Sequence, residues 1–243
     1  MRSFCVIVLL GIITSGEGPL RAAEVQFQSG PARTHLVELF TSEGCASCPP
    51  AEKWLSELKG HPRLWKDFVP LAFHVDYWDR LGWKDRFAKP TFTARQNAYA
   101  KLWGSGTVYT PAFVLSGREW RERSVDRLSA SGDNAGTLRV VAARDGSIAA
   151  SYRPAASGRA WELHVALLGL DLQSRVRAGE NRGRELRHDF VALSHQQKAM
   201  IAEGETHRAE VVLPSEAATN KAVAVWVTGA GKLEPIQATG GVL

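Results

Sequence analysis

His35-Leu36-Val37-Glu38-Leu39-Phe40-Thr41-Ser42-Glu43-Gly44-Cys45-Ala46-Ser47-Cys48-Pro49-Pro50 is the stretch from which the rest of this chain can be organised. Leu36 to Phe40 is a compact apolar run interrupted by one acid, and Thr41 to Gly44 are turn formers. Beyond the prolines, Trp54, Leu55 and Leu58 recur at helical spacing, so the order is strand, turn, helix. Two residues between cysteines at the first turn of a helix bring both sulfurs within disulfide reach, with the first pointing out from the helix end. Unpaired N–H groups and the helix dipole there favour a thiolate. Cys45 is therefore the expected attacking sulfur, and Cys48, one turn along, the sulfur that resolves a mixed disulfide. Gly44 allows a partner to approach closely, and Pro49 suits a first helical turn, where its missing N–H would be unpaired anyway.

Downstream, the apolar run over residues 68–75 predicts a second buried strand, which after a strand and a helix implies a right-handed β-α-β crossover with parallel strands. A helical pattern over residues 92–102 ends at Gly104-Ser105-Gly106. Residues 110–115 predict a strand opening with Pro111, followed by a Ser116-Gly117 turn, a short strand and a helix over residues 123–130. From Ser131 the texture changes to strand upon strand: residues 137–142, 147–152, 161–170, 186–193, 207–213 and 222–228, with Asp145-Gly146 as a hairpin signal. The expected fold class is α/β over residues 24–131, followed by an antiparallel β-sandwich domain over residues 132–243.

Composition bounds the function. The chain has 243 residues, 44% hydrophobic and 23% charged, enough to bury an ordinary core. Its formal charge of +5 is spread along the sequence rather than gathered in a basic stripe with aromatic platforms, which argues against a nucleic-acid binder. Arg2, an apolar run over residues 4–13 and small residues up to Ala22-Ala23 have the order of a secretory signal peptide over residues 1–23. The run falls short of the ~20 residues a membrane-spanning helix requires. The mature chain is expected to be periplasmic or secreted, with no stable membrane insertion. Cys5 departs with the leader, leaving only Cys45 and Cys48, which excludes a disulfide-scaffold protein. No Gly-rich phosphate loop, Ser-His-Asp order or catalytic carboxylate pair stands out, and no cofactor is expected.

Residues 40–50 resemble the active-site turn of the thioredoxin fold. Tyr109-Thr110-Pro111 resembles that fold's cis-proline loop, which in the family lies against the cysteine pair and offers backbone to substrate. The strings Leu39-Phe40-Thr41-Ser42-Glu43-Gly44-Cys45, His74-Val75-Asp76-Tyr77-Trp78-Asp79, Leu81-Gly82-Trp83-Lys84-Asp85 and Gly179-Glu180-Asn181-Arg182-Gly183 resemble the secreted thioredoxin-like family labelled domain of unknown function 1223. The resemblance covers nearly the whole mature chain. It implies a thioredoxin-like first domain, a cis bond before Pro111 and export, and names no reaction. The chain departs from thioredoxin in lacking a Trp before Cys45 and Gly-Pro between the cysteines, and its turn after the strand is one residue longer.

The site residues each carry competing roles. Cys45 and Cys48 suit redox exchange, since structural disulfides usually close longer loops. A permanent local disulfide and Cu(I) capture with His74 as third ligand are the alternatives. Glu38 is either a buried acid relaying protons to the resolving cysteine or an acid on a solvent-facing edge. His74 and Asp76 follow a strand whose end should reach the edge that holds Cys45, as site residues or as a satisfied histidine and a capping aspartate. Tyr77, Trp78 and Trp83 either form a rim that grips substrate or tuck under their loop. Asn181, Arg182 and Gly183 read as a tight turn. The expected function is extracytoplasmic thiol-disulfide exchange on protein or peptide substrates and a redox partner. Thr110, Pro111, Tyr77 and Trp78 would position the substrate, and the sandwich would bind the partner or prop the redox domain.

Overall fold

The computed structural model describes residues 24–124, 128–129, 132–156, 158–216 and 218–243. The signal peptide expected over residues 1–23, half of the helix expected over residues 123–130, and residue 131 at the expected domain junction lie outside the described residues. Among the described residues, no helix is long and apolar enough to cross a membrane.

The quoted stretch forms strand β2 (His35–Thr41) and helix α1 (Pro49–Glu57), preceded by β1 (Val25–Gln28). Strand β3 (Phe68–His74) pairs with β2 in parallel register, His35 opposite Phe68 and Thr41 opposite His74, as the crossover required. Helix α2 (Pro90–Leu102) leads to β4 (Ala112–Leu115), antiparallel to β2, and β5 (Arg118–Glu119). The two helices cover opposite faces. Phe40 and Phe73 meet α2 through Tyr99 and Phe92, with ring centroids 6.2 and 4.8 Å apart. On the other face, Trp54 of α1 packs edge-on against Phe113 at 5.2 Å.

The later half supplies β6 (Thr137–Ala142), β7 (Ser147–Arg153), β8 (Trp161–Leu170), β9 (Leu172–Arg175), β10 (Glu185–His188), β11 (Val191–Ala199), β12 (Ile201–Glu203), β13 (Thr206–Val212), β14 (Asn220–Gly229) and β15 (Pro235–Val242). Their order overturns the expected fold class, a thioredoxin-like α/β domain followed by a separate sandwich. Strands hold 45% of the described residues and helices 14%. β2 to β5 form one end of an eight-stranded sheet ordered β15-β14-β8-β11-β3-β2-β4-β5. The join between β3 and β11 is short, one parallel bridge at Ala72 and Val191 with Ala72 N–H donating to Phe190 O at 2.8 Å. A common hydrophobic core closes the seam, in which Leu36, Phe73 and Phe113 pack with Ala166, Leu168 and Trp226. The opposite faces of β8 and β14 present Leu163, Val165, Val223 and Val225 to a second sheet, ordered β1-β6-β7-β13-β12. Burial on both faces explains why β8 and β14 are apolar almost throughout instead of alternating. Between the sheets' edges, β9 and β10 form a hairpin that lies against α1.

Candidate functional site

Cys45 and Cys48 form a disulfide at the N-terminus of α1, with Cys48 at the N-cap and Pro49 opening the first turn. Cys45 N–H donates to Ser42 O at 3.1 Å, which tightens the turn out of β2. A Cβ on Gly44 would come within 3.0 Å of Trp78 Cβ, so the absence of a side chain lets the Trp78 loop close against the turn. The Thr110–Pro111 bond is cis, as the resemblance implied. Cys45 Sγ lies 3.8 Å from Thr110 O and 3.3 Å from Ser47 Oγ.

The expected exposure of Cys45 is corrected. Both cysteines are fully buried, although Ala46 and Ser47 between them are exposed. The loop joining β9 to β10 is tied to the backbone of this turn. Asn181 Nδ2 donates to Glu43 O and Cys45 O, each at 2.9 Å, and Ala46 N–H donates to Glu180 Oε2 at 2.9 Å. Arg184 in turn donates to Asn181 Oδ1 at 2.8 Å and holds the amide in place. Asn181 is thus more than a turn former, although its neighbours fit that description: Arg182 N–H closes on Gly179 O.

Glu38 is fully buried, so the solvent-edge role does not apply. Period-two alternation along β2 sends it with Phe40 toward α2. There Arg95 Nε donates to one carboxylate oxygen at 2.6 Å and Tyr99 OH to the other at 2.6 Å. Both oxygens are engaged on the α2 face, and Glu38 makes no hydrogen bond to the cysteine pair. Tyr77 and Trp78 are half-buried against the core, the tucked arrangement, and Trp78 Nε1 donates to Thr110 Oγ1 at 2.8 Å, steadying the cis loop. Asp76 is joined to Thr93 on α2, whose hydroxyl donates to it at 2.6 Å.

On the α1 face, beneath the turn that carries the disulfide, lies a charged cluster that the sequence only partly disclosed. Thr41 Oγ1 donates to Glu52 Oε1 at 2.5 Å, and His188 Nδ1 from β10 meets Glu52 Oε2 in a very short contact. His188 Nε2 lies 3.2 Å from Glu43 Oε1, an ion-pair distance at an angle too poor for a hydrogen bond, while Trp83 Nε1 donates to Glu43 Oε2 at 2.7 Å. His74 Nδ1 lies 2.7 Å from Asp85 Oδ2, which also accepts from Glu43 N–H at 2.8 Å. Burial opposes a charge on His188, yet Glu52 and Glu43 outweigh it and push its pKa up to about 10. Burial likewise opposes ionised Asp85, but His74 and two backbone N–H donors hold its carboxyl down to about 2. Glu43 and His74 stand inside motifs conspicuous in the sequence. Glu52 resembled an ordinary first-turn helix acid, and His188, 136 residues from Glu52, gave no local signal.

A strand-turn-helix disulfide, a cis-proline loop and a capping hairpin on a two-sheet frame define a class of β-rich proteins with a covered cysteine pair. The chain belongs to the family described as protein of unknown function DUF1223, whose model matches residues 36–228. A crystal structure of protein AGR_C_4864 from Agrobacterium tumefaciens is similar at 27% identity and a TM-score of 0.64, over 88% of this chain and 95% of that one. HBP35 of Porphyromonas gingivalis shares the fold at 14% identity and a TM-score of 0.62, over 88% of this chain and 76% of that one. No curated protein matches the chain.

Proposed function

We propose that this chain exchanges disulfides with peptide or protein thiols outside the cytoplasm, through Cys45 and Cys48, and that the loop between β9 and β10 gates access. The observation that carries this is the setting of Cys45 Sγ: at a helix N-terminus, 3.8 Å from the carbonyl before the cis-proline, in a turn whose backbone is held by polar contacts from one loop. With the loop displaced, a substrate thiolate attacks Cys45 Sγ, the Cys45–Cys48 bond breaks, and Cys48 leaves as a thiolate that the helix N-terminus favours. A second substrate thiolate then attacks the substrate sulfur of the mixed disulfide. It releases the oxidised substrate and the Cys45 thiolate, so two electrons pass to the cysteine pair. The reverse sequence reduces a substrate disulfide. Thr110 O and the extended backbone beside Pro111 would accept a hydrogen bond from the substrate chain. The basic start, apolar run and small residues in sequence over residues 1–23 support an exported setting.

Complete burial of both sulfurs favours a second reading, a disulfide that only staples the turn. Equilibration with glutathione buffers, read by mass spectrometry of alkylated thiols, separates the two. Exchange predicts an accessible potential, turnover of a fluorogenic peptide disulfide, loss of turnover in Cys45→Ser, and roughly tenfold faster attack in Asn181→Ala, where the buried clamp is lost. A pair resisting reduction, with a potential below about −300 mV, would establish the staple.

A further inference from the structure

We propose that Glu52, His74 and His188 form a zinc(II) site under the disulfide. One ligand atom from each lies within 4.8 Å of the others, and all three side chains are buried. Two imidazoles and a carboxylate are a donor set that Zn(II) accepts at roughly 2.0–2.2 Å, so ligand atoms about 3.5 Å apart suffice and the cluster needs only a small contraction.

His74 Nε2 points to a ligand independently. It is fully buried, it has no hydrogen-bond partner among the described residues, and a buried polar atom in that state is costly. Its other nitrogen faces Asp85 at 2.7 Å, the arrangement in which a metal-bound imidazole is oriented and made more basic by an outer carboxylate. His188 differs, because its Nδ1 is already bonded to Glu52, a bond that a shared metal ion would replace with release of the proton, while its Nε2 lies 3.2 Å from the outer carboxylate of Glu43. Glu43 is itself fixed by Trp83, and Asp85 by the backbone N–H groups of Glu43 and Phe87. Such an outer layer supports ligands and is more than a lone ion pair requires. A cavity of about 740 Å³ between α1 and the β9–β10 hairpin is lined by Glu52, Pro49, Lys53, Arg184 and Arg187, which brings open space up to one of the three proposed ligand residues.

The site is distinct from capture by the cysteines, because a disulfide has no thiolate to offer, and it does not depend on the exchange reading. The test therefore uses the full chain with Cys45–Cys48 oxidised, stripped with chelator and titrated with Zn(II) against a chromogenic competitor and with Co(II) by absorption. The expected result is one Zn(II) per chain, raised thermal stability, and Co(II) d–d bands without a thiolate charge-transfer band. Asp85→Asn should weaken Zn(II) by roughly 10–100-fold, while His74→Gln and Glu52→Gln abolish the one-to-one binding. No uptake by the oxidised chain, uptake only after reduction, or undiminished binding in folded His74→Gln would each overturn the site. Should His74→Gln or Glu52→Gln fail to fold, stoichiometry and Co(II) spectrum of the unaltered protein remain decisive.

Discussion

Glu38 and Arg95 make the sharpest statement at the scale of single residues. Arg95→Met would leave the Glu38 carboxylate fully buried with Tyr99 as its remaining side-chain partner, an uncompensated charge that costs about 3–5 kcal/mol. Chemical denaturation should register that loss, whereas Glu38→Gln combined with Arg95→Met should recover part of it. A decrement under 1 kcal/mol for Arg95→Met would mean that water reaches Glu38. The His188 clamp predicts a pH dependence. The folded pKa is raised from 6.5 to about 10, so the stabilisation is fully present below pH 6.5 and is lost as pH climbs through about 10. With chelator present, urea midpoints should fall across that window more steeply for the unaltered chain than for His188→Gln. Parallel curves would remove the clamp. The sequence marked Glu38 as anomalous because an acid interrupts an apolar run, but it could not reveal a partner 57 residues away. The same limit hid His188.

Among elements, those governed by local periodicity were legible and those governed by distant contacts were not. β2, α1, β3, α2 and the β6–β7 hairpin follow from apolar spacing, proline placement and Asp145-Gly146. The run over residues 186–193 looked like one strand, yet it breaks into β10 and β11 at Asp189 and Phe190. There Phe190 takes φ 58° and Asp189 accepts from Asp171 N–H at 2.9 Å. That break turns β10 away from the large sheet and frees it to pair with β9, a strand too short and polar to stand out. The hairpin's tip should behave as a latch. In Glu180→Ala, hydrogen exchange of the Ala46 amide should rise at least several-fold while amides in β2 and β3 hold their protection, because the lost bond is exposed and local. Equal acceleration throughout β2 would show instead that the tip is integral to the core.

For the whole molecule, the decisive feature is that the two halves share apolar packing although the seam within the large sheet is a single bridge, with β1 separately paired to β6 in the second sheet. Trp226 of β14 is fully buried, its ring stacked on His164 and His195 at 5.1 Å each, with the Arg95 guanidinium 5.4 Å from the ring centre. One side chain of the late half therefore touches the residue that neutralises Glu38 in the early half. Sequence texture marked a change near Ser131 because helices stop there, but texture reports secondary structure and carries no record of which faces later meet. A core shared in this way should unfold as a unit. Trp226→Ala is expected to lose about 3–5 kcal/mol, and far-UV circular dichroism, tryptophan fluorescence and amide exchange in β2 should then shift to one common lower midpoint. Residues 24–131 made alone should remain unfolded, since β3 would lose β11 as a neighbour and the Phe73 side of the sheet its cover from Trp226. Two resolved transitions, or a folded fragment, would establish that the halves are separate bodies and that the seam, rather than the core, governs their coupling.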